Sequence, residues 1–139
     1  MKIKQIAEDY DIKLINVTKK NIDKYSKLYK IKKEDLINNA EIIGNEELIL
    51  GIFDDKEVRI AAFFHEIGHT LISDKFEKLV NCDCLLIEYK AWILGLKAAK
   101  KYGYKFSNKT FKYILTSLNS YYEDALSRYE KRKKNKNKH

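Results

Sequence analysis

Residues 60–71 read Ile60-Ala61-Ala62-Phe63-Phe64-His65-Glu66-Ile67-Gly68-His69-Thr70-Leu71, and the reading of the whole chain turns on this stretch. Its centre is H-E-x-x-H, a spacing that sets two imidazoles one turn apart when the segment is helical. Asp54 or Asp55 should cap that helix, which is expected from about Lys56 to Ser73. At about 100° per residue, Ile60, Phe63, Phe64, Ile67 and Leu71 gather on one side, the expected core face. His65 and His69 project from nearly the opposite side, with Glu66 beside them. Ala61, Ala62 and Gly68 are their small neighbours, read as leaving space over the imidazoles. The plain alternative is two surface histidines on an amphipathic helix. The third and last histidine of the chain is His139, so both interior ones stand at this spacing.

Upstream, Ile42-Ile43, then Gly44-Asn45, then Leu48 to Phe53 reads as a β-hairpin around a Gly-Asn turn. If Leu48 to Phe53 is an edge strand, an extended peptide could add to it. The N-terminal third gives the weakest pattern. Thr18 is a candidate cap for a helix through about Lys30, with Ile22, Tyr25, Leu28 and Tyr29 at helical spacing.

Downstream, a helix is expected from about Leu85 to Tyr102, stopped by Gly103. Lys90, Lys97 and Lys101 line one of its faces. Glu88 falls on the other, among Leu85, Trp92, Gly95 and Ala99. A carboxylate on an apolar face is costly unless something compensates it. A metal ion would do so, as would a salt bridge or the positive end of the helix dipole. A last helix, about Asn108 to Lys131 with Ser107 as cap, is apolar at Phe111, Leu115, Leu118, Tyr122, Ala125 and Tyr129. That heptad stripe is expected to dock on the domain's own core rather than on a second chain.

The 139 residues, 45% of them hydrophobic, suit a single α+β domain over 1–130 that needs no disulfide staples. Of the net charge of +8, six charges belong to Lys131, Arg132, Lys133, Lys134, Lys136 and Lys138, which leaves about +2 for the body. Residues 131–139 are therefore expected to be a frayed basic tail rather than a nucleic-acid patch. No apolar stretch resembles an export signal or a membrane span, and Cys82 and Cys84 read as reduced thiols, so a cytoplasmic monomer is expected.

A catalytic zinc takes three protein ligands and keeps one position open. His65 and His69 supply two ligands and Glu88 is the choice for the third. Glu77, Asp74, Asp83, Cys82 and Cys84 compete for that place, and both thiolates together would instead close a structural site. Glu66 is the candidate general base. The sequence names no oxyanion donor. Tyr102 would stand about 21 Å along its helix from Glu88, too far to serve.

The stretch from about Glu47 to Gly103 resembles the zincin peptidases with a glutamate third ligand. Within them it is similar to the ImmA/IrrE type of phages, mobile elements and their bacterial hosts. The resemblance rests on Phe64-His65-Glu66-Ile67-Gly68-His69-Thr70-Leu71 and on Glu88-Tyr89-Lys90-Ala91-Trp92, which is similar to the family's E-x-E-A-[NW] element. Lys90 departs from the second acidic position of that element, and the family's Leu-Met-Pro stretch is absent. The resemblance implies a minimal zincin-like domain in which a small antiparallel sheet packs on the active-site helix. It implies Zn2+ on His65, His69 and Glu88, Glu66 as base, and hydrolysis of a protein or peptide substrate, a regulatory protein among the candidates. The alternative is a zinc-binding regulatory or interaction module with little turnover.

Overall fold

Ile3, Ile6 and Ala7 recur at helical spacing and are all buried, which seats α1 (Lys2–Asp9) against the core. The chain turns through Asp11, whose φ of 58° a short polar side chain tolerates, into β1 (Lys13–Asn16). The computed structural model describes residues 2–44 and 46–137. Over these residues the protein is an α+β domain with six helices, one 3-10 turn and a three-stranded mixed sheet.

The sheet order is β1-β3-β2, with β3 (Glu47–Leu50) central. It runs parallel to β1 and antiparallel to β2 (Ala40–Ile43), Ile43 standing opposite Glu47. Leu48, Ile49 and Leu50 are all fully buried, the unbroken apolar run of a strand covered on both faces. Leu48 and Leu50 join the core formed with α1 and the motif helix. Ile49 joins Ile15, Val17 and Leu36 under α2 (Ile22–Tyr29) and the 3-10 turn Lys33–Leu36.

The expected hairpin therefore exists, but its second strand, open to an added peptide only if it lay at an edge, is the central one. It also ends at Leu50, not Phe53. The Gly51 N–H still bonds the Asn39 carbonyl in the β2 register, but the Ile52 N–H goes to that of Leu36, so the chain leaves the ladder there. Only glycine fits: a Cβ on Gly51 would stand 2.4 Å from the Leu36 carbonyl oxygen. Gly44 takes a φ of 58° in the turn, and Asn45 lies outside the described residues. The helix expected to start at Thr18 begins at Ile22, because Asn21 turns back and accepts from the Thr18 N–H.

The motif helix α3 (Lys56–Thr70) is capped by Asp55, whose carboxylate accepts from the Glu57 and Val58 N–H groups. It stops short of Ser73, which leaves Leu71 at 41% exposure instead of in the core. A short α4 (Asp74–Leu79) leads to α5 (Cys84–Lys101), capped by Asp83 and followed by Gly103 at a φ of 84°. Two of the small residues of α3, Ala61 and Gly68, have a different task from the one expected. A Cβ on Gly68 would lie 1.9 Å from the Ala91 carbonyl oxygen, and one on Gly95 2.3 Å from that of Phe64. The α3 and α5 backbones touch, and Ala61 is packed beside Trp92 and Ile114. Gly68, Gly95 and Ala61 thus set a helix crossing, while Ala62 does line the cavity beside His65, as expected.

The last helix, α6 (Asn108–Asn137), differs most from expectation. Thr110 and Ile114 are buried, whereas Leu115, Tyr122 and Tyr129 are at least half exposed. Thr110 donates to Glu57 at 2.6 Å and Lys109 pairs with Asp55 at 2.8 Å. Those bonds turn Thr110 inward and leave Phe111, one residue on, facing out. The helix docks on the domain's own core as expected, but of the heptad stripe only Leu118, among the described residues, packs on that core, beside Ile114 and Tyr113. The basic segment is likewise not a frayed end: the helix runs through residue 137, exposed from Leu126 to Lys136. Lysine and arginine are good helix formers and no glycine or proline interrupts them. Lys138 and His139 lie outside the described residues. No helix among the described residues is long and apolar enough to cross a membrane.

Candidate metal centre

His65 and His69 stand on consecutive turns of α3, and α5 brings Glu88 to both. The His65 Nε2 lies 2.7 Å from one Glu88 oxygen and the His69 Nε2 3.2 Å from the other. The two Nε2 atoms are 3.1 Å apart. One ligand atom from each residue falls within 4.8 Å of the others, a group that could hold a metal ion. Two ligand atoms each 2.0–2.1 Å from a tetrahedral ion stand about 3.3 Å apart, so the donors have a spacing that a small four-coordinate metal ion could bridge. The three side chains are 11%, 24% and 15% exposed. A site this dry stabilises a dication through its anionic ligand.

The two imidazoles answer the expense of the Glu88 charge on an apolar helix face. Burial works against its ionisation, but the hydrogen bonds and charges of His65 and His69 prevail and hold its pKa at about 2. Burial depresses the pKa of His65 against the pull of Glu88. Burial also opposes charge on His69, but Glu88, with Glu66 and Glu77, outweighs it and raises that pKa.

Glu66 points to the sheet side of the same site. Burial pushes its carboxyl up to about 7, opposed by His69 and by the Ile42 backbone N–H, and supported by Glu88 and Glu41. A carboxyl poised near neutrality is suited to exchange protons at neutral pH. Glu66 thus lies beside β2, one of the two edge strands, so the edge next to the site is Ala40–Ile43.

A cavity of about 160 Å³ opens on His65, Glu66 and Glu88. Asn39 and Ala40 form its rim on the β2 side. Tyr113, Ser117 and Tyr121, one turn apart along α6, line it with Trp92. Trp92 is 3% exposed and stacks on His65 with ring centroids 4.1 Å apart. The Trp92 Nε1 and His65 Nδ1 are buried without a hydrogen-bond partner among the described residues. The α6 residues escaped the reading of the sequence. Their signal was a polar line at four-residue spacing, masked by the apolar stripe one residue away.

None of the competing ligands joins the group. Asp83 is spent capping α5, and Asp74 lies in the first turn of α4. Glu77, Cys82 and Cys84 line a separate hollow that touches the far side of Glu88, both thiols exposed. Tyr102 donates to Asp9 at 2.9 Å and takes no part. No protein-family model, curated protein or solved structure matches the chain.

Proposed function

We propose that the protein is a zinc-dependent metallopeptidase of minimal zincin build, hydrolysing peptide bonds of a protein or peptide substrate. The observation that carries this reading is the convergence of His65, His69 and Glu88, with Glu66 beside them and a cavity lined by His65, Glu66 and Glu88. Zinc held by the three ligands would supply Lewis acidity and acidify a water molecule. Glu66 takes the proton from the attacking water on a carboxylate oxygen and delivers it to the leaving amine nitrogen. The outer edge of β2, which has no strand partner among the described residues, receives the substrate as an added strand. The hydroxyls of Tyr113, Ser117 and Tyr121 offer donors to a substrate carbonyl oxygen.

The test is zinc content and proteolysis measured side by side. About one zinc per chain is expected, lost in both His65→Ala and Glu88→Ala. Glu66→Gln should keep the zinc and lose at least 100-fold in turnover. A wild type that takes up no zinc would sink the proposal. Zinc binding with no effect of Glu66→Gln on any cleavage would leave a metal-binding interaction module.

A further inference from the structure

The metal centre makes no use of the end of α6. Its residues 126–136 are all exposed and clear of the body, a free rod about 16 Å long. They carry Arg128, Lys131, Arg132, Lys133, Lys134 and Lys136 against the single anion Glu130. Arg128 pairs with Asp124 at 3.3 Å, and the other five cations have no carboxylate partner among the described residues. Unpaired cations at three- and four-residue spacing repel one another along a helix, so this segment is built at a cost in isolation.

We propose that this free helix binds duplex nucleic acid through its phosphates. The arrangement of the cations selects the partner. At about 100° per residue, Lys131, Arg132, Lys133 and Lys134 point in four well-separated directions, and Lys136 falls between Arg132 and Lys133. A helix lying on a membrane surface confines its cations to one side and buries the other in lipid. Here only Leu126 and Tyr129 are apolar, and no such side exists. A docked acidic protein would likewise engage one side and leave the opposite cations unpaired. A helix in a major groove about 12 Å wide has phosphates along both flanks, so cations on opposite sides of it find partners at once. Tyr129, 60% exposed, sits in a hollow with Arg132, Lys133 and Lys136, where its hydroxyl adds a phosphate contact. The binding is backbone-directed and sequence-independent, and does not depend on the metal reading.

The experiment is fluorescence anisotropy of the full chain on a labelled random-sequence duplex DNA of about 20 base pairs, between 50 and 250 mM salt. The comparison is a variant carrying Lys131→Gln, Arg132→Gln, Lys133→Gln, Lys134→Gln and Lys136→Gln, which keeps good helix formers. Circular dichroism confirms that both are folded. With about five phosphates neutralised, the logarithm of affinity should fall against that of salt with a slope of about −4 to −5. In the variant the slope should shrink to about −1 or less in magnitude, and affinity at low salt should drop more than tenfold. Equal slopes in the two proteins, or no binding at 50 mM salt, would overturn the proposal. Tighter binding to poly-glutamate would reassign the helix to an acidic protein. Tighter binding to phosphatidylserine-containing vesicles at matched charge would reassign it to a membrane surface.

Discussion

At the scale of single residues, the motif was legible because helix periodicity alone puts His65 and His69 on one face. Glu88 was legible for a second reason, the expense of a carboxylate among apolar neighbours, and its distances of 2.7 and 3.2 Å to the imidazoles repay that argument. What could not be read was the wall of the cavity, since Tyr113, Ser117 and Tyr121 arrive from a helix whose rotation depends on tertiary bonds. Trp92, the chain's one tryptophan, lies stacked on a ligand histidine. Zinc binding should therefore change its emission, saturating at one equivalent, and His65→Ala should abolish the change. A fluorescence titration checks this, and emission indifferent to zinc in a protein that binds it would contradict the stacking.

At the scale of elements, caps and stops were readable where a short-range rule governs them, as with Asp55, Asp83 and Gly103. The strands were less so. β1 is four residues long and offers no alternation, so nothing announced that it would cover the second edge of β3 and make that strand central. The rotation of α6 turns on Glu57, an α3 residue that accepts from the Thr110 hydroxyl and the Ser107 N–H. The Thr110 hydrogen bond, with those of Ser107, holds the Glu57 carboxyl below its ordinary pKa. A depressed folded-state pKa means the stabilisation is present above the unfolded value and is lost as pH falls through the folded one. Glu57→Gln should accordingly melt lower than wild type at pH 7, and the gap should close below about pH 4. Thermal melts of both proteins across that range decide it; a gap that widens on acidification would refute the sign.

At the scale of the whole molecule, the α+β class followed from a helical motif flanked by a hairpin, and six helices around a small sheet agree with it. The basic segment was misjudged because composition reports charge and says little about length of helix. Among the described residues, charge and fold are divided between two parts of one chain: a nearly neutral body that holds the buried residues, and a cationic rod, 126–136, that holds none. Deleting residues 131–139 should thus leave the melting temperature within about 2 °C of wild type. A calorimetric loss much larger than this would mean that the rod packs on the body.

The contact of α3 with α5 through Gly68 and Gly95 also bears on how the protein can vary. Where two helices meet through side chains, the gap between them drifts as those side chains swell, rotate or are exchanged. Here main chain rests on main chain, and there is nothing between to adjust. The distance from carboxylate to imidazoles is a gauge cut into the backbone, so substitutions accumulating elsewhere in the core can retune stability without altering the aperture offered to a cation.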